Sequence, residues 1–390
     1  MVDYQDVFSD APSDRLGYYD PASNGRVRWW DWAAGLFFTL TAWMIGQILF
    51  AVGLGAAMFS NDMASELQTM GEVTGGNAAL STIGSWMLGL GMLVGVVTGL
   101  VYYLSNRAPG LRIVMILAIA ATFTGLIVSS AFQGEMDGFN DLLGILIGRH
   151  AWLYALFLLT FPAALAGLYF VWRVIHAKSL TSLHTSFERF RWGRVVQAFI
   201  IGWAVLFAFS FLGGALTGNA PDWQFDASRF FVFAAISLLL LPIQSATEEI
   251  VVRGYMNKGL IALFANKWVA FVLTSGLFTA LHLSNPEALS GAEEGKLAIV
   301  MSGYFFFGFA ACLMVLIDDG LESAIAVHAA NNTFAGVFVN YQGSVLPTPS
   351  LWMVESQPTA DSLGTIVVLL VILGLLWVTR QRSLSRSNTL

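Results

Sequence analysis

Three short stretches carry reactive side chains in an otherwise apolar chain: Glu248-Glu249-x-x-x-Arg253, Phe278-x-x-x-His282 and His328-x-x-x-Asn332. Each has helical spacing. Positions four apart share a helix face, so Glu249 can pair with Arg253, Phe278 can wall the His282 ring, and His328 can stand above Asn332. Glu248 points about 100° away from Glu249, which leaves its carboxylate free to face a cavity. A glutamate and a histidine at one cavity can bind and deprotonate water, the glutamate serving as general base. A second histidine and a carboxamide can donate hydrogen bonds to the oxyanion of a tetrahedral intermediate. That is an outline of amide-bond hydrolysis. Two histidines and a glutamate can also hold Zn²⁺ with one position open, so Glu248, His282 and His328 form the ligand set of a zinc alternative. Their spacing is not that of His-Glu-x-x-His, so no local motif supports the metal. The remaining histidines, His150, His176 and His184, fall at span ends or in loops, where solvated or interfacial rings are expected.

These groups need elements to hold them, and the composition says which kind. Hydrophobic residues make up 56% of the 390 and charged ones 11%, less than half the share a water-facing surface requires. The chain is therefore expected to be an all-α polytopic membrane protein. Apolar stretches of about 20 residues fall near 32–59, 81–104, 113–133, 151–174, 195–216, 230–258, 268–283, 297–317, 322–341 and 362–379. That makes about ten spans. A carboxylate near the bilayer centre costs roughly 2.5 to 3.5 kcal/mol on insertion scales, so a glutamate pair and two histidines on three separate spans point to a built polar pocket. At about 1.5 Å per residue, Glu248 and His282 lie about 18 and 21 Å into their helices. His328 lies only about 9 Å from a start near Leu321, so its helix must tilt or begin deeper.

Of the 19 basic residues, sixteen fall on one side of a ten-span layout and three on the other. By the positive-inside rule both termini are expected to be cytoplasmic. The connection from Ile175 to Arg194, rich in arginine, is expected along the membrane surface, against anionic lipid. No basic patch suggests a nucleic-acid groove, so no nucleic-acid partner is expected. The single cysteine, Cys312, excludes a disulfide framework and a Cys-rich metal site. Proton- or ion-coupled transport remains an alternative, because intramembrane carboxylates and histidines also line ion pathways. The two halves lack the matching interrupted helices of many transporters. A non-catalytic membrane scaffold is the third reading.

In this order on successive helices, with Asn285-Pro286 after the histidine, the three motifs resemble the CPBP intramembrane proteases. That family includes type II CAAX prenyl endopeptidases and bacteriocin-processing or immunity proteins. The resemblance covers roughly residues 195–341. It implies a helical catalytic core and cleavage of a membrane-associated polypeptide within a lipid bilayer. Glu248 would activate water, His282 would help to position it, and His328 and Asn332 would form the oxyanion site. Glu249 and Arg253 would brace the motif helix. The resemblance leaves zinc against metal-independent chemistry open. The implied organisation is a cytoplasmic arm at 1–31, a four-helix membrane region at 32–194, the catalytic core at 195–345, and a terminal helix with a basic tail at 346–390. The implied setting is a bacterial inner membrane.

Overall fold

Backbone N–H and C=O groups find no water inside a bilayer, so an apolar chain satisfies them within helices, and this chain is mostly helical. The computed structural model describes residues 17–20, 28–58, 144, 146–283, 285–341 and 344–380. Its main helices are α1 (Trp29–Met58), α2 (Ala151–Val174), α3 (Trp192–Leu216), α4 (Ala227–Phe264), α5 (Lys267–Ala280), α6 (Pro286–Glu293), α7 (Leu297–Asp318), α8 (Glu322–Thr333) and α9 (Pro358–Val378). Among the described residues, α2, α3, α4, α7 and α9 are long and apolar enough to cross a membrane, and α5 is a shorter apolar helix. The protein is an integral membrane protein. Two of the expected spans, 81–104 and 113–133, lie outside the described residues.

Small residues let these helices approach closely. A Cβ added to Gly167 on α2 would come within 2.5 Å of Ala42 on α1, and one on Gly202 of α3 within 2.9 Å of Ala330 on α8. The expected span 322–341 is not one helix. It divides into α8, a wide π-helical stretch at Phe334–Phe338, and a strand, Val339–Tyr341. α8 is buried on nearly every side, between α3 and α4. Its first residues, Leu321, Glu322 and Ser323, are fully buried. The helix therefore begins inside the protein.

The corner ahead of α8 is held by buried ion pairs. Arg194 Nη2 lies 2.9 Å from Asp318 Oδ1, and Arg191 Nη2 lies 2.9 Å from Glu322 Oε2. Arg194 also donates to the carbonyl of Leu376 and to the Thr379 hydroxyl at the end of α9, both at 3.0 Å. The expectation that this arginine-rich connection serves anionic lipid is thus corrected for Arg191 and Arg194. Their guanidinium groups are committed to protein carboxylates, whose charges could not be left buried unpaired.

Two further differences concern short or local features. A three-stranded sheet of Asp222–Trp223 (β1), Val339–Tyr341 (β2) and Trp352–Val354 (β3) has the order β1-β3-β2, antiparallel then parallel. It supplements the helical layout, and strands of two or three residues are too short to show a period of two. His176 is not solvated. It is buried against Trp32 and Trp172, with Nε2 2.8 Å from the Tyr255 hydroxyl.

Candidate active site

The glutamate pair of α4 is flanked by two departures from regular helix. Pro242 sits inside the helix; it has no N–H to give and loosens the turn before it. Directly after Glu249 the helix widens into a π-helical stretch, Ile250–Met256, a feature found mostly at functional sites. Glu248 and Glu249 lie between these two irregularities. α5 brings Phe278, the turn after it brings His282, and α8 brings His328 and Asn332.

The two glutamates differ as the angular reading expects. Glu249 is fully buried, and its Oε1 takes Arg253 Nη1 at 2.9 Å and His328 Nδ1 at 2.7 Å. The Glu248 side chain keeps 25% of its surface exposed, and its Oε2 lies 3.7 Å from His328 Nε2. Gln244, one turn earlier, donates through Nε2 to Glu248 Oε1. His328 therefore stands between the two carboxylates, one ring nitrogen toward each.

Both histidines present the same ring nitrogen to the site. His328 Nδ1 faces a carboxylate oxygen and His282 Nδ1 faces the Phe278 carbonyl at 2.7 Å. These oxygens only accept, so each Nδ1 carries a proton, and each Nε2 is left for another partner. Phe278 links the elements. Its ring centroid lies 4.4 Å from that of His282 and 6.2 Å from that of His328, and the Arg253 guanidinium stacks 4.4 Å from it. This cation–π contact matters because Arg253 Nε and Nη2 are buried with no hydrogen-bond partner among the described residues. Glu249 Oε2 and Ser275 Oγ share that condition.

Asn332 is drawn toward α4. Its Nδ2 donates to Gln244 Oε1 at 2.9 Å and to Ser245 Oγ at 3.2 Å, while its Oδ1 accepts from Asn331 at 3.1 Å. The chain thus gathers Glu248, Glu249, Arg253, Phe278, His328 and Asn332 into one connected set. His282 joins it through the Phe278 ring. Among the described residues no group of three or more His, Cys, Asp or Glu is placed to hold a metal ion. Glu248, His282 and His328 do not fit a zinc site in this arrangement, and no step is derived through one.

Sequence reasoning missed Gln244 and Ser245, which join Glu248 to Asn332, although two polar residues in the turn before a glutamate were a readable signal. It also missed Tyr304, whose ring centroid lies 4.5 Å from that of His282, and Phe307, 5.1 Å from His328. Both stand in the aromatic run of α7, which reads from sequence as lipid-facing bulk.

The family model of the type II CAAX prenyl endopeptidase Rce1-like proteins matches residues 228–334, a stretch containing all three motifs. The chain is 30% identical over 218 residues to the uncharacterized protein YyaK of Bacillus subtilis (strain 168), which covers 55% of this chain and 71% of that protein. No solved structure matches it. With this match and this relative beside the helical bundle, the chain belongs to the type II CAAX prenyl endopeptidase Rce1-like family.

Proposed function

We propose that the protein is an intramembrane endopeptidase that hydrolyses a peptide bond in a membrane-associated polypeptide, with Glu248 as general base. The observation that carries this reading is the inequality of the two glutamates. Glu249 is locked by Arg253 and His328, while Glu248 keeps an accessible carboxylate oriented by Gln244 and facing His328 Nε2.

In the proposed reaction Glu248 takes a proton from a water molecule whose oxygen attacks the scissile carbonyl. His282 Nε2, freed by the bond from Nδ1 to Phe278, accepts a hydrogen bond from that water and orients it. The carbonyl oxygen becomes an oxyanion, which His328 Nε2 stabilises in the doubly protonated ring and the Asn332 amide stabilises by exchanging one of its bonds to Gln244 or Ser245. The C–N bond then breaks, and the leaving amine takes the proton held by Glu248. The family name points to polypeptides with a prenylated cysteine near the carboxyl terminus as the first substrates to try. A bacterial cell membrane is the proposed setting.

The test is incubation of the purified protein in lipid nanodiscs with prenylated and unprenylated membrane peptides, with and without chelator, followed by mass spectrometry. Wild-type protein should release products, and Glu248→Ala and His282→Ala should release none while remaining inserted. Full activity in either variant would overturn the mechanism. Substrate-dependent proton flux without peptide products would favour transport instead.

A further inference from the structure

Asn285 occupies the position before α6, where an asparagine ordinarily accepts hydrogen bonds from the first helical N–H groups. Here it makes no such cap. Its Nδ2 instead donates to the Tyr304 hydroxyl on α7 at 2.9 Å. The Glu287 carboxylate, in the first turn of α6, lies near the same hydroxyl. Glu287 Oε2 is buried and has no hydrogen-bond partner among the described residues. A helix start thus gives up its cap and buries an incompletely satisfied carboxyl group, each of which costs stability. Both departures lie at one hydroxyl: Asn285 donates to it, and the Glu287 carboxylate is its neighbour.

What that hydroxyl fixes is a ring beside the site. The Tyr304 and His282 rings lie 4.5 Å apart at 30°, and Phe278 flanks the same imidazole at 4.4 Å and 41°. The imidazole is held between two aromatic faces while its Nδ1 is tied to the Phe278 carbonyl. His282 lies in a turn beyond the last residue of α5, where the helix no longer restricts its rotamer. External walls must then set the direction of Nε2.

We propose that Tyr304 is a positioning residue for His282, its ring clamping the imidazole from the α7 side and its hydroxyl held by Asn285. The importance of this clamp for catalysis rests on the hydrolytic reading above, while the clamp itself is a property of the fold. Asn285 and Tyr304 thereby aim Nε2 at the water without touching it.

The experiment uses the full chain in nanodiscs with isotope-labelled histidine, the His282 signals being assigned by their loss in His282→Ala. Wild type should show His282 as one neutral tautomer with the proton on Nδ1. Tyr304→Leu should give a mixture of tautomers and lower kcat by about 10- to 100-fold with KM unchanged, the scale expected for a displaced catalytic group. Tyr304→Phe, which keeps the ring, should recover to within about threefold of wild type, as a clamp made chiefly by the ring requires. Asn285→Ala, which leaves all rings in place, gives a second route if Tyr304→Leu does not insert, and should broaden the His282 signals. Unchanged His282 signals in both Tyr304→Leu and Asn285→Ala, or a rise in KM alone, would overturn the proposal. Cleavage that survives Glu248→Ala would sink the hydrolytic reading instead, and the histidine spectra would still decide the clamp.

Discussion

His328 Nδ1 and Arg253 Nη1 both reach Oε1 of Glu249, at 2.7 Å and 2.9 Å. One buried oxygen thus fastens α8 to α4 and holds the histidine ring so that its other nitrogen faces Glu248. The buried glutamate thereby sets the ring that faces the partly exposed one. Adjacent residues of the same type therefore have opposite sensitivities.

Glu248→Gln should abolish cleavage with little change in melting temperature, because this side chain is partly exposed and carries one short-range support, Gln244. Glu249→Ala should cost about 3–5 kcal/mol of stability, the usual consequence of stranding a buried guanidinium. Thermal unfolding in detergent, measured beside peptide cleavage, separates the two effects. Equal losses of stability in both variants would contradict this division of labour.

Gln244→Leu should reduce kcat by about 10- to 100-fold and leave KM near its wild-type value, since Gln244 bridges Glu248 and Asn332 and touches no bond that breaks. Gln244→Glu should be worse than Gln244→Leu, because a second carboxylate then faces Glu248. Steady-state kinetics on one peptide substrate decide the point.

Gly308→Ala tests the packing behind Arg253. A Cβ there would lie 3.1 Å from Arg253 Nη2 and 3.2 Å from Ser275 Cα. Overpacking of this kind costs about 1–3 kcal/mol. The guanidinium should also move off Glu249, and activity should fall further than the stability loss accounts for. Gly276→Ala, on an open face of α5 where an added Cβ meets nothing within 4 Å, should be silent in both assays.

His176 governs part of the acid response. Burial, with a smaller contribution from Lys178, pulls its pKa from 6.5 down to about 4. The unfolded chain therefore binds more protons than the folded one between these values, and stability rises with pH across that window. The contribution is complete above pH 6.5 and is lost as the pH falls toward 4. His176→Phe should flatten the stability curve between those limits, at the expense of the bond to Tyr255. A curve as steep as wild type would assign the acid sensitivity to other groups.

Much of the site was legible because its members come in pairs four residues apart on helices, and helical geometry decides which faces such pairs share. The split between Glu248 and Glu249 followed from angle alone. Distance in sequence hid the rest. Arg194 meets Asp318 across 124 positions and Arg191 meets Glu322 across 131, and nothing local in a row of arginines separates a lipid-facing set from a buried one. Tyr304 was obscured for another reason. It opens the run Tyr304-Phe305-Phe306-Phe307, whose hydrophobicity is equally suited to a lipid-facing wall and to a wall around an imidazole. Short strands such as Trp352–Val354 leave no periodic trace at all.

The Arg194 corner ties distant parts of the bundle to one cation. Its guanidinium draws acceptors from Leu376 and Thr379, more than 180 residues downstream, and pairs with Asp318 at the end of α7. Three helices, α3, α7 and α9, thus converge on a single buried group, and replacing that arginine would strand Asp318 and loosen all three junctions at once.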